Sequence, residues 1–104
     1  MRSRTRHTRR MARHQERGKA AIGARLRAAR ETFGLSQAQF ADRAKISRSR
    51  FNQYETGTRA LTLAAAHALC DEYGLTLDWL LRGNRAGLPY ALATAIAEHE
   101  DESK

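Results

Sequence analysis

The sequence predicts an all-α protein with a compact five-helix unit, a further C-terminal helix and a basic N-terminal arm. Three observations support this prediction. Ala and Leu dominate the apolar residues and few residues are β-branched, a composition that favours helices. Apolar residues recur at spacings of three and four, which places them on one face of a helix. Gly, Ser or Thr stands at most of the expected helix ends.

Charge and pattern divide the chain into three segments. Residues 1–19 carry eight Lys or Arg against one Glu, which is +7 of the net charge of +8. This arm contains almost no apolar side chains, so we expect it to be disordered when free. Residues 20–85 form the predicted compact domain, and residues 86–104 form a helix with an acidic tail.

The basic arm suggests contacts with phosphates, which the arm would make as it orders on DNA. The expected contacts come from six of its arginines, Arg2, Arg4, Arg6, Arg9, Arg10 and Arg13. Two alternatives are a solvated tail and an extension from an upstream start codon, in which case Met11 would be the true first residue.

The first predicted helix spans Ala20–Thr32 and ends at Gly34, a natural left-handed stop. Arg25, Arg27 and Glu31 are expected to lie off its buried face. That face is predicted to hold Ile22, Leu26, Ala29 and Phe33.

Two short helices separated by a tight turn follow. Ser36 and Gln39 have the spacing of a capping box at the start of a helix over Gln37–Ala44. Lys45–Ser47 forms the turn, and Ser47 is the expected N-cap of the helix Arg48–Thr56.

The helix Arg48–Thr56 has two different faces. At 100° per residue, Phe51, Tyr54 and Glu55 share the face that is expected to pack in the core. The opposite face is polar and is expected to be exposed, with Arg50 at its flank. It consists of Arg48, Ser49, Asn52, Gln53 and Thr56.

Three more helices complete the prediction. Thr62 caps a helix that ends at Tyr73, with inward residues Leu63, Ala66, Leu69, Cys70 and Tyr73. Thr76 caps a short helix over Leu77–Arg82, with buried residues Leu77, Leu80 and Leu81. A sixth helix has Pro89 in its first turn and an apolar stripe of Leu88, Leu92 and Ile96. This stripe could dock on its own domain or on a second subunit.

The segment Leu35–Gly57 reads L-S-Q-A-Q-F-A-D-R-A-K-I-S-R-S-R-F-N-Q-Y-E-T-G. It strongly resembles the lambda-repressor-like helix-turn-helix family, also called Cro/C1-type or XRE-type. The resemblance extends back over Ile22–Arg30 and forward to Leu75–Gly83, so it covers more than half of the chain. It implies a lambda-repressor-like fold of five helices, with the third helix in the DNA major groove.

The resemblance also implies roles by position. Gln37 would contact a phosphate and steady the third helix, and Arg30 and Glu55 would form an internal ion pair. Base edges would be read by Arg48, Ser49 and Gln53. Backbone or supporting contacts would come from Ser47, Asn52 and Thr56. We expect such contacts from Arg50 and Arg59 as well, at positions where the chain departs from the family: a small residue is common at position 50, and the loop of Arg59 lacks the usual proline. Lys45 replaces the usual turn glycine, and a left-handed conformation there would cost about 1 kcal/mol.

The chemistry of two of these side chains suits base reading, independently of the family resemblance. An arginine such as Arg48 can fork onto guanine O6 and N7, and a glutamine such as Gln53 can pair with adenine N6 and N7. The alternative is a merely solvated polar face.

Other classes of function have little support. The single cysteine, Cys70, allows no intrachain disulfide and is predicted to be a small buried hydrophobe. The histidines lack metal-ligand spacing, and no catalytic set is evident. We therefore expect no metal, no cofactor and no enzymatic activity. The sequence contains no apolar run of about 18 residues, so we predict no membrane span. The expected location is the cytoplasm, with the nucleoid.

Three functions are compatible with the sequence. The first is a sequence-specific transcriptional regulator, in the simplest case a phage-like repressor that binds double-stranded DNA as a homodimer. The second is the antitoxin of a toxin–antitoxin pair, which would bind a toxin protein through residues 88–96. The third is a nonspecific nucleic-acid binder that acts through the arm. None involves a membrane or a small-molecule substrate.

Overall fold

A computed structural model describes the backbone of residues 18–102 and the side chains of residues 18–100. This part of the chain contains six helices and no strand, which confirms the predicted all-α class. The helices are α1 (Lys19–Thr32), α2 (Gln37–Arg43), α3 (Arg48–Thr56), α4 (Leu63–Tyr73), α5 (Leu77–Arg82) and α6 (Tyr90–Glu102).

Residues 1–17 lie outside the described residues. The phosphate contacts predicted for the arm lie there as well, at Arg2, Arg4, Arg6, Arg9, Arg10 and Arg13.

The helix bounds differ from prediction by one or two residues. Gly18 is the N-cap of α1, so the helix includes Lys19, which was assigned to the arm. Ala44 is the C-cap of α2 rather than its last residue. Pro89 precedes α6 instead of lying in its first turn, and its carbonyl accepts the N–H of Ala93 at 2.9 Å.

A cluster of aromatic rings joins α2, α3 and α4. The rings of Phe40 and Tyr73 stack with centroids 4.0 Å apart, and Phe51 lies 5.3 Å from Phe40. The Tyr73 hydroxyl donates to the Phe40 carbonyl at 2.7 Å, so its polar atom is satisfied inside the core. The largest fully buried side chains of the domain are Trp79, Phe40, Phe51, Leu26, Leu69, Leu80 and Ile96.

Several apolar side chains are less buried than predicted. Leu63, expected to point inward, is 63% exposed at the first position of α4. Leu77 and Leu81 are half-buried because Trp79 and Leu80 occupy the inner side of the six-residue α5. Cys70 is also half-buried. Periodicity identifies the inner face of a helix, but the neighbours of each position decide how much is covered.

Arg25, in contrast, is more buried than the sequence predicts. It was expected to lie off the buried stripe of α1, yet it is a buried charged residue. Its Nη1 donates to the Leu80 carbonyl at 3.0 Å and so links α1 to α5. Gly83 lies against the guanidinium, since a Cβ on Gly83 would be 3.0 Å from Nη2.

Helix α6 docks on its own domain, mainly against α1. Leu88 and Ile96 are buried, so two residues of the predicted apolar stripe belong to the core. Two polar contacts accompany them: Arg85 pairs with Glu100, and His99 Nδ1 lies 3.8 Å from a Glu31 carboxylate oxygen. Within residues 18–102, no helix is both long and apolar enough to cross a membrane.

Candidate nucleic-acid interface

The motif of α2, turn and α3 is defined by its caps. Ser36 Oγ accepts the Gln39 N–H at 3.1 Å, and Gln39 Oε1 accepts the Ser36 N–H at 3.0 Å, which completes the predicted capping box. Ser47 Oγ accepts the Arg50 N–H at 3.2 Å and so caps α3. These bonds satisfy amides that the first turn of a helix leaves without partners.

The turn between the two helices is closed by a left-handed residue. Lys45 has φ 58°, which is the left-handed conformation expected at the position where it replaces the usual turn glycine. Its N–H donates to the Asp42 carbonyl at 3.1 Å, and the Ile46 N–H donates to the Ala41 carbonyl at 3.0 Å. This pair of bonds is a Schellman motif, which ends α2 abruptly and sets the direction of α3.

The two faces of α3 differ as the periodicity predicted. Phe51 is fully buried and Tyr54 is 3% exposed, so the inner face is part of the core. Gln53 departs from the expectation of full exposure and is half-buried. The remaining polar residues are exposed: Arg48, Ser49, Arg50, Asn52 and Thr56.

Helix α3 rests directly on α1 at Gly23. A Cβ at this position would lie 2.3 Å from the Glu55 carbonyl oxygen and 2.9 Å from that of Tyr54. Only a residue without a side chain permits this approach. Gly23 has no role among the sequence predictions, although a glycine inside a helix costs about 1 kcal/mol relative to alanine and therefore indicates a structural constraint.

An ion pair joins the same two helices. Arg30 Nη2 lies 2.8 Å from Glu55 Oε1, with only 18% and 6% of the two side chains exposed. Arg30 Nη1 also donates to the Leu35 carbonyl at 3.0 Å. The hydrogen bond and charge of Glu55 raise the pKa of Arg30 above its usual value, against the opposing effect of burial. The pair thus fixes α1, the following loop and α3 together.

Side-chain hydrogen bonds also connect the polar face of α3 to its surroundings. Asn52 Nδ2 donates to Gln37 Oε1 at 3.1 Å, which links α3 to the start of α2. Arg59 Nε donates to Gln53 Oε1 at 2.7 Å, so an arginine of the following loop holds this amide. Thr56 Oγ1 donates to the Asn52 carbonyl at 2.9 Å. Gln37, Asn52, Gln53 and Arg59 are therefore oriented before any ligand binds.

Arg48 is held by Asp42, a residue for which the sequence predicts no role. Its Nε donates to Oδ1 at 3.2 Å and its Nη2 donates to Oδ2 at 2.8 Å. The hydrogen bond from Arg48 lowers the pKa of Asp42, and that from Asp42 raises the pKa of Arg48. The two residues are six positions apart and lie on either side of the turn, so helical periodicity does not predict their contact.

The segment from α2 to the loop after α3 is strongly basic. It exposes five cationic side chains: Arg43, Lys45, Arg48, Arg50 and Arg59. Its exposed acid, Asp42, is paired with Arg48. A phosphate backbone would therefore meet positive charge around α3. Within residues 18–100, no cluster of His, Cys, Asp or Glu could hold a metal ion.

Comparison with known proteins identifies the motif. A family model described as "Helix-turn-helix domain" matches residues 21–82, which extend from α1 to the end of α5 and contain the whole α2–turn–α3 unit. No curated protein and no solved structure matches the chain.

Proposed function

This chain belongs to the helix-turn-helix domain family, and we propose that it is a sequence-specific transcriptional regulator that reads the DNA major groove with α3. The observation that carries this proposal is the outer face of α3. Arg48 and Ser49 are exposed at its N-terminal end, where a helix in the major groove meets base edges.

The support beneath that face suits a reading function. Base reading requires side chains held in place by a rigid scaffold. Here Gly23, the Arg30–Glu55 pair and the aromatic cluster hold the backbone of α3, while Gln37 and Arg59 hold two of its amides. Arg48, Ser49 and Gln53 would read bases. Backbone or supporting contacts would come from Gln37, Ser47, Arg50, Asn52, Thr56 and Arg59.

We further propose that the protein acts as a homodimer and represses transcription. One helix reads only a few base pairs, so useful specificity needs two copies of α3 about 34 Å apart, one turn of DNA. Binding over a promoter would block the polymerase. The Arg-rich arm would add salt-dependent affinity without selecting the site.

Selection from a random DNA library tests the proposal. The full chain should enrich a two-fold symmetric sequence. Arg48→Ala and Gln53→Ala should each relax the preference at one base pair per half-site, whereas removal of residues 1–17 should weaken binding to all sequences and flatten the salt dependence. Arg82→Ala removes an exposed charge from α5 and is the matched control. Failure of the full chain to enrich any sequence would favour the nonspecific binder.

The antitoxin alternative now meets a structural obstacle. A toxin that used the apolar stripe of residues 88–96 would have to expose Leu88 and Ile96, which are buried in the core, and separate α6 from α1. We therefore place the regulator ahead of it.

A further inference from the structure

The contact between Asp42 and Arg48 leaves a defined part of the guanidinium free. An arginine has five N–H donors in a planar fork. The carboxylate of Asp42 takes the edge formed by Nε and Nη2. Both N–H groups of Nη1 and one of Nη2 remain, and they form the end of the fork. That end has the geometry for guanine O6 and N7.

An acidic side chain at position 42 contributes little to the stability of the fold. Asp42 is the second-last residue of α2, where the helix dipole disfavours a carboxylate. Its side chain is 52% exposed and that of Arg48 is 69% exposed, and ion pairs so exposed add little to stability. The acid also stands in a basic segment that would approach phosphates, so we expect it to lower the affinity for any DNA.

We propose that Asp42 is a positioning residue that holds Arg48 in the orientation that contacts one guanine in each half-site. It thereby raises selectivity for that base and lowers affinity for DNA in general. An unrestrained arginine can reach neighbouring phosphates and several bases, since its side chain has many rotamers. The two hydrogen bonds to Asp42 restrict it to poses in which the Nε–Nη2 edge is occupied and the Nη1–Nη2 end is left for a base. This inference rests on the proposed function, because it requires α3 to read bases.

The test uses the full chain in four forms: wild type, Asp42→Asn, Arg48→Ala and the double variant. Library selection gives the base preference, and titration of random-sequence DNA at several salt concentrations gives nonspecific affinity. The base pair whose preference disappears in Arg48→Ala identifies the position read by Arg48. Asp71→Asn removes an exposed acid from α4 and is the matched control. Thermal melts show that each variant is folded.

We expect the wild type to prefer guanine at the position read by Arg48. In Asp42→Asn this preference should fall about twofold to fivefold, the coupling typical of exposed ion pairs, while affinity for random DNA rises. In the Arg48→Ala background, Asp42→Asn should no longer change base preference but should still raise affinity. Asp71→Asn should leave base preference unchanged.

Two results would overturn the inference. One is an unchanged base preference in Asp42→Asn, which would make Asp42 an ordinary surface charge. The other is a preference for a base other than guanine at the position read by Arg48. Both are distinct from failure of the proposed function, in which the wild type enriches no sequence at all and the inference fails with it.

Discussion

Replacement of Gly23 by alanine should destabilise the domain and shift α3. The added methyl group would lie 2.3 Å from the Glu55 carbonyl oxygen, whereas real Cβ contacts are not closer than 3.0 Å. The two helices must therefore separate by about 0.7 Å at this point. The obstacle is backbone, so no side-chain rotation can relieve it.

Two opposing effects set the magnitude. Alanine is favoured over glycine inside a helix by about 1 kcal/mol. Overpacking costs about 1–3 kcal/mol and occasionally more, and the present overlap with two carbonyl groups lies at the upper end. The movement would also stretch the Arg30–Glu55 pair, which joins the same helices. We expect a net loss of about 2 kcal/mol, or roughly 10 °C in Tm.

Chemical and thermal denaturation of Gly23→Ala measure the loss of stability. The displacement of α3 is detected as a changed base preference in DNA selection. Ala24→Gly, at an exposed position in the same helix, gives the helix-propensity effect alone and should cost about 1 kcal/mol. A Gly23→Ala protein as stable as the wild type would show that α1 and α3 separate freely, and the argument from close approach would be wrong.

Three further outcomes are expected. Lys45→Gly should stabilise the protein by up to about 1 kcal/mol in urea denaturation, because it removes the cost of the left-handed conformation. Ser47→Ala should cost about 1 kcal/mol, since it removes the N-cap of α3, and should also weaken DNA binding. Burial raises the pKa of the Cys70 thiol, with a smaller effect from Asp71. Alkylation of folded Cys70 at pH 8 should therefore be slower than in the urea-unfolded chain, and the difference should shrink as the pH rises.

Each of these outcomes has a control. Lys45→Ala keeps the backbone strain and should show no gain, so equal gains for both variants would contradict the argument from φ. Ser47→Thr retains a capping oxygen and should restore most of the stability lost in Ser47→Ala. Equal alkylation rates of folded and unfolded Cys70 across the pH range would show that its thiol is not desolvated.

The sequence predicted the local geometry of the candidate interface well. The caps at Ser36, Ser47 and Thr62 are as expected, and the buried face of α3 follows from Phe51 and Tyr54. These features depend on residues within one or two turns of each other, so helical spacing and capping chemistry report them. The DNA contacts assigned to Arg48, Ser49 and Gln53 stay predictions.

The side-chain contacts of the candidate interface could not be predicted in the same way. Asp42 and Arg48 meet across a turn, and Arg59 reaches Gln53 from a loop. Both contacts depend on the direction in which the chain leaves a helix. A period of 3.6 residues carries no information about that direction.

Local patterns in the sequence predict the helices, their caps and the buried side of α3, because each of these features depends on neighbouring residues. The packing of the helices against one another places α6 on α1, buries Arg25 against α5 and brings Gly23 to the end of α3. These contacts join residues about 30 to 70 positions apart in the chain. Their energies come from close packing and desolvation between whole helices, which no local pattern encodes.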